Sequence, residues 1–376
     1  MVSRMWEAVR GRAWILADAD AVVAILLLTV ISARNVLLDG VTVGLDAATQ
    51  FYPWYSFLGE TLRSGTLPGW NPHQFSGTPF AADPLSGWTY LPAMALFTLF
   101  PTVLAAKSYV FLHLLMAGLG VYALARALGM RASGALVAAV AYEFGNFLYV
   151  RNICCFAFAS VMVWLPISIL GAEMAIRSRR LLDRILWCAL SGLAVSQMLA
   201  SWLGQGSYYA LLALGGYVAY RAFLFPPEHM RSVAGRVFGG VFVGASILAV
   251  GFGLAAAGLL PRLEYNALSS LAGGYERELL PTGGWDIGDW KQLIFPPSDF
   301  YAGAGVITLA LAAPLIARGD AVRYGVPYFA ALAVAAITLS GRGTTLVHSA
   351  LYQLPLLEGL LPFRSQRFMV VFFLGA

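Results

Sequence analysis

The chain has 376 residues, of which 59% are apolar and only 11% charged, with a mean hydropathy of +0.73. Soluble domains run nearer roughly 45–50% apolar and 25% charged, so the composition excludes an ordinary globular domain, a disordered chain and a collagen-like repeat, and makes lipid the main solvent. The net charge of +5 does not point to nucleic acid, because the 24 Lys and Arg are scattered through oily sequence, where such residues act as topology signals.

Arg4, Arg10 and Arg12 precede an apolar stretch that starts near Ala21. The pattern imitates a signal peptide, but Asp18 and Asp20 interrupt the approach and many spans follow, so an uncleaved first helix is expected over 21–38. Further apolar windows of helical length fall at 103–125, 132–149, 156–176, 185–203, 207–225, 237–260, 303–317 and 324–339, and a tenth opens near 368. The pattern predicts an all-α membrane protein: one polytopic helical bundle over 1–376 with about ten transmembrane helices. Its last span is incomplete at residue 376, so the chain reads as part of a longer protein. Gly240 and Gly244 form a GxxxG, followed by Gly251, Gly253 and Gly258, a pattern that reads as close helix packing.

Placing the N-terminus in the cytoplasm puts 14 of the 24 basic residues inside, in clusters at 126–131, 177–184, 221–236 and 318–323. This satisfies the positive-inside rule. The long segments 39–102, 261–302 and 340–367 then lie outside and hold most of the aromatic, Pro, Asn and acidic residues, so any chemistry faces outward. Cys154, Cys155 and Cys188 form no CxxC pair and have no nearby His. They read as small apolar helix residues, and no metal site is expected.

The first outer loop is the informative stretch. From Phe51 the residues Phe51, Trp54, Tyr55, Leu58 and Leu62 recur at helical spacing, which predicts about three turns lying in the membrane interface, with Pro53 in the first turn. Asp46 then sits just before a helix start, at the end of the first span. Such a carboxylate reads either as a partner of the helix dipole or as a catalytic group at the lipid–water boundary. Trp70, Asn71 and His73 suit sugar recognition, an aromatic platform with polar groups beside it, although Trp is also common at interfaces. Arg151, Arg262, Arg364 and Arg367 are candidate cations for a lipid phosphate at the outer surface, the last two at helical spacing. His113 and Glu143 are polar groups within spans, Glu143 near the outer end of its own. Glu264, Asp286, Asp289 and Asp299 offer a second carboxylate or a divalent-ion ligand, without the spacing of a defined site.

The run from Asp46 through QFYPWYSFLGETLRSGTLPGWNPHQFSGTPFAADP resembles the signature of the bacterial YfhO-type membrane protein family, which is similar to GT-C glycosyltransferases. Leu260-Pro261-Arg262-Leu263-Glu264, Tyr301-Ala302-Gly303 and Pro362-Phe363-Arg364-Ser365-Gln366-Arg367-Phe368 extend the resemblance along the chain. It implies a GT-C-like fold in the bacterial plasma membrane and transfer of a sugar from a polyprenyl-phosphate donor to an envelope glycan or polymer on the outer face. It also implies Asp46 as the base of an inverting displacement. Gln50, Trp70, Asn71, His73, Arg151, Glu264, Arg364 and Arg367 form the implied substrate-binding set, with no cofactor beyond a possible divalent cation. Two other readings stay open: a transporter or flippase for lipid-linked glycans, and an inactive scaffold for envelope assembly.

Overall fold

The computed structural model describes residues 2–38, 44–269, 272, 284–316, 319–341, 346, 350, 353 and 368–376, with backbone alone at 2–15, 287 and 320–323. The expected Arg364 and Arg367 lie outside the described residues. Every apolar window carries a helix. The long ones are α1 (Val2–Leu38), α4 (Thr102–Ala127), α7 (Phe156–Arg177), α8 (Leu181–Ser201), α9 (Gln205–Phe223) and α10 (Val233–Ala267). Shorter ones are α2 (Tyr52–Arg63), α3 (Leu91–Leu99), α5 (Ala132–Glu143), α6 (Asn146–Cys154), α11 (Ala304–Ile316), α12 (Asp320–Leu339) and α13 (Met369–Gly375).

The expectation of about ten spans is not reached by length. Among the described residues five helices are long and apolar enough to cross a membrane: Leu16–Leu38 of α1, α4, α7, α8 and α10. The pair α5 and α6, bent by 45°, makes a sixth if it is one span. α11, at 13 residues, covers only about 20 Å at 1.5 Å per residue, short of a hydrocarbon core about 30 Å thick. The break after α5 also corrects the depth of Glu143. Its carboxylate accepts from the Thr29 hydroxyl and lies over Gly118, level with the middle of α1 and α4 rather than near the outer end.

The bundle is built around α7. Some 78% of its apolar window is buried, against 28% for α1 and 22% for α10, so α7 is the axis and the other two keep most of their surface for lipid. α8 packs between α7 and α10. Its crossing with α10 is close because a β-carbon on Gly192 would fall 2.6 Å from Val250 and one on Gly251 2.5 Å from Val195. Of the GxxxG pair, Gly240 meets Ala222 of α9, whereas Gly244 has nothing within 4 Å. The contact follows single glycines, not the motif.

Several of the basic residues gather at one end. There Arg126 pairs with Asp18 at 2.6 Å, Arg177 donates to the Ala127 carbonyl, and Arg179 faces Glu228 at 3.3 Å. Beneath this rim, fully buried Glu173 of α7 accepts from Arg221 Nε at 2.7 Å and Nη2 at 3.1 Å, from Tyr217 at 2.9 Å and from Tyr324 at 3.0 Å. The guanidinium also lies 3.9 Å from the Tyr324 ring centre. One ion pair thereby ties α7, α9 and α12. Away from water, removal of one partner strands the other charge. Glu173→Ala is therefore expected to cost about 3–5 kcal/mol, read as a lower melting temperature in detergent, and Glu173→Met with Arg221→Met should recover most of the loss.

Candidate functional site

The first loop is a folded cap on the other end of the bundle. A single π turn, Ala47–Phe51, leads directly into α2, whose Pro53 occupies the first turn as expected. The face expected to lie in the membrane interface instead packs on protein. Tyr55 and Leu58 are buried, and the Tyr55 ring lies 5.2 Å from Phe97, 5.8 Å from Tyr109 and 6.0 Å from Phe156. At Gly59 the backbone of α2 approaches the Phe97 carbonyl so closely that a β-carbon would sit 2.0 Å from it. The far half of the loop is tied to the end of α8. Gln197 accepts from the Leu91 N–H, Leu203 donates to the Pro84 carbonyl, and Arg262 donates to the carbonyls of Leu199 and Ala200 and to Ser86.

Asp46 sits where this cap meets α6. It is solvent-exposed and stands in the first helical turn, with helical backbone angles and no side-chain capping bond, a place where a carboxylate also favours the helix dipole. Its position is fixed by Gly44, whose ideal β-carbon would fall 2.6 Å from Cys154 Cα. Only glycine allows the chain this close to the end of α6. Asp46 Oδ2 lies 3.4 Å from the Cys155 sulfur. The reading of these cysteines as plain apolar residues needs correction: Cys154 and Cys155 form a disulfide, and Cys188 is free and buried. The non-helical backbone of Cys155, between α6 and α7, turns two consecutive side chains to one side, which a continuous helix would not do.

Arg151, one turn back on α6, completes the cluster. Its Nη1 lies 3.7 Å from the Cys155 sulfur and its Nη2 3.4 Å from Asp299 Oδ2, and the charges of both Asp299 and Asp46 act on it. The guanidinium lies 5.3 Å from the Phe147 ring centre and 5.7 Å from that of Phe158. Its Nε is buried and has no partner among the described residues. Asp299 is half-exposed, at 53%, and the contact is long, so the pair is worth about 0–1 kcal/mol and is readily exchanged for another anion. Beside Asp299 opens a cavity of about 410 Å3, lined by Asn146, Pro296, Pro297, Ser298, Asp299 and Tyr301. Asn146 holds that loop against α6, donating from its backbone to Tyr301 and from its amide to Ser298.

The other expected residues distribute unevenly. Gln50 is half-buried in the π turn. Asn71 is buried and spends its side chain on the His73 N–H and its backbone on Thr78, so it shapes the turn that carries Trp70 and His73. Those two are exposed; the Trp70 ring covers Gly77, and His73 meets Phe57 edge-on at 6.0 Å. Glu264 is exposed on α10. Arg262, 1% exposed, is consumed by α8 and the loop and is no surface cation. Next to it, burial holds the Asp83 carboxyl above the usual carboxylate range, against the opposing pull of the Leu85 N–H and the Arg262 charge. His113 is closed off between Tyr90 and the Tyr109 carbonyl. Sequence reasoning missed Tyr52. Its hydroxyl is buried without a partner among the described residues, its ring meets Phe156 edge-on, and burial pushes its phenol up to about 12.

No protein-family model matches the sequence, and no curated protein does. Membership of the YfhO-type family is accordingly not shown. The chain is similar in structure to arabinofuranosyltransferase AftD from Mycobacteria, with a TM-score of 0.51 and 15% identity over 95% of this chain and 25% of that one. It spans about a quarter of that protein's length. At this identity the likeness shows the fold alone, a helical membrane architecture.

Proposed function

We propose that this protein is a membrane glycosyltransferase that moves a sugar from a polyprenyl-phosphate donor to an envelope acceptor at the outer face of the bacterial plasma membrane. The arginine-rich end and the N-terminus then face the cytoplasm, consistent with the charge rule. The observation that carries the reading is Asp46 itself: an exposed carboxylate held beside a half-buried arginine whose present partner is loosely bound.

In this reading the acceptor hydroxyl attacks the anomeric carbon and gives its proton to Asp46. The bond from that carbon to the phosphate oxygen breaks with inversion, and the electron pair leaves with the phosphate. Arg151 exchanges Asp299 for this phosphate, which needs a cation because an unpaired anion is costly in low dielectric. Arg364 and Arg367 would add positive charge. Trp70 and His73, on the face shaped by Asn71, together with Gln50 and Glu264, would meet the sugar or the acceptor. Tyr52, with its high proton affinity, would serve as a hydrogen-bond donor.

One observation favours a transporter for lipid-linked glycans: the bent pair α5 and α6, with Glu143 at the break, since interrupted helices recur at transport sites. The two readings part on the catalytic carboxylate. Asp46→Asn keeps size and shape but cannot take a proton, so glycosyl transfer from a radiolabelled polyprenyl-phosphate sugar should fall by about 10²–10⁴ with normal membrane yield. Near-normal transfer would sink the enzyme reading. Gly44→Ala should also depress transfer with Asp46 intact, because the chain must move off Cys154 and a shift of about 1 Å at a reacting group can cost 10²-fold. Gly69→Ala, with nothing within 4 Å of the new methyl, should leave both activity and melting temperature unchanged.

A further inference from the structure

We infer that Asp46, Cys154 and Cys155 form a redox-gated binding site for one thiophilic divalent cation, closed while the cysteines are joined and opened when they are reduced. One carboxylate oxygen and the two sulfurs lie within 4.8 Å of one another. A thiolate binds zinc at about 2.3 Å and a carboxylate at about 2.1 Å, so sulfur and oxygen on a tetrahedral ion sit roughly 3.6 Å apart. The 3.4 Å between Asp46 Oδ2 and the Cys155 sulfur already has that spacing. Once reduced, the two sulfurs need only separate from bonding distance to a tetrahedral edge of roughly 3.7 Å. That is a side-chain rotation, with the backbone kept in place by the approach of Gly44 to Cys154.

Oxidised, the sulfurs have no thiolate to offer and the ion would have one carboxylate. A dithiol reductant supplies two electrons and two protons to the Cys154–Cys155 bond and itself becomes a disulfide. Two thiols result, and a divalent cation then displaces their two protons and joins the Asp46 carboxylate, leaving a fourth position for water or ligand. Cation binding stands on this geometry alone. Its consequence, withdrawal of the Asp46 carboxylate from proton transfer and hence shut-off of the enzyme under reducing conditions, rests on the function proposed above.

Titration of the purified full chain with Cd2+ in detergent, in a Cys188→Ser background, tests binding independently of activity. After treatment with a phosphine reductant and its removal, one Cd2+ per chain should bind with a thiolate-to-cadmium charge-transfer band, and the oxidised protein should show none. Cys154→Ser or Cys155→Ser should abolish the band. Asp46→Asn should keep the band but weaken binding by more than the roughly 10-fold that loss of even an outer partner costs. The inference fails if reduced protein binds no Cd2+, if the oxidised protein binds equally, if either serine variant keeps the band, or if Asp46→Asn binds as tightly as before. Should a serine variant not fold by circular dichroism, the comparison of oxidised with reduced parent decides alone.

Discussion

The fold depends on one constraint: in lipid, a polar group that water cannot reach must find its partner inside the protein. Glu173 meets it with Arg221, Tyr217 and Tyr324, His113 with Tyr90 and the Tyr109 carbonyl, and Arg262 with the end of α8 and Ser86. The Glu173 and Arg262 sets join segments distant in sequence, so the same bonds that hide these polar groups help fix the arrangement of the bundle. Apolar packing alone specifies less here, because a lipid tail is as good a neighbour for leucine as another helix. The first loop obeys the same logic. It has become a folded cap because its aromatic face is buried on α3, α4 and the start of α7, and because Arg262 and Gln197 hold its far half.

Against this background the contrast between two arginines is instructive. Arg262 is buried and gives Nη1 and Nη2 to two carbonyls and a serine, whereas Arg151 has a long contact to a half-exposed carboxylate; the Nε of each lacks a hydrogen-bond partner among the described residues. The first is a rivet. The second is a cation with an exchangeable partner, placed near the exposed Asp46.

Much of this was legible in the sequence. Ten apolar windows became helices, and the arginine clusters at 126–131, 177–184 and 221–236 gather at one end because alternate helix ends meet there. The first-loop motif pointed to Asp46, and Arg151 was among the candidate cations. What periodicity could not give was depth and pairing. Glu143 sits at mid-depth because α5 stops at Phe144 and Gly145, a two-residue break inside an otherwise continuous window. The meeting of Arg151 with Asp299, 148 residues apart, and of Gly44 with Cys154, follows from tertiary packing alone. Adjacent cysteines looked like helix filler because the reading assumed a helix through them. The non-helical backbone at Cys155 is what turns both sulfurs toward the carboxylate.

The most direct test of the central claim, that the Asp46 end holds a lipid-phosphate site, is a structure of the full-length protein bound to a non-transferable polyprenyl-phosphate sugar. The account predicts the phosphate on the Arg151 guanidinium, displacing Asp299, with the anomeric carbon turned toward Asp46. A phosphate bound at the arginine-rich end, or a sugar ring out of reach of Asp46, would contradict it.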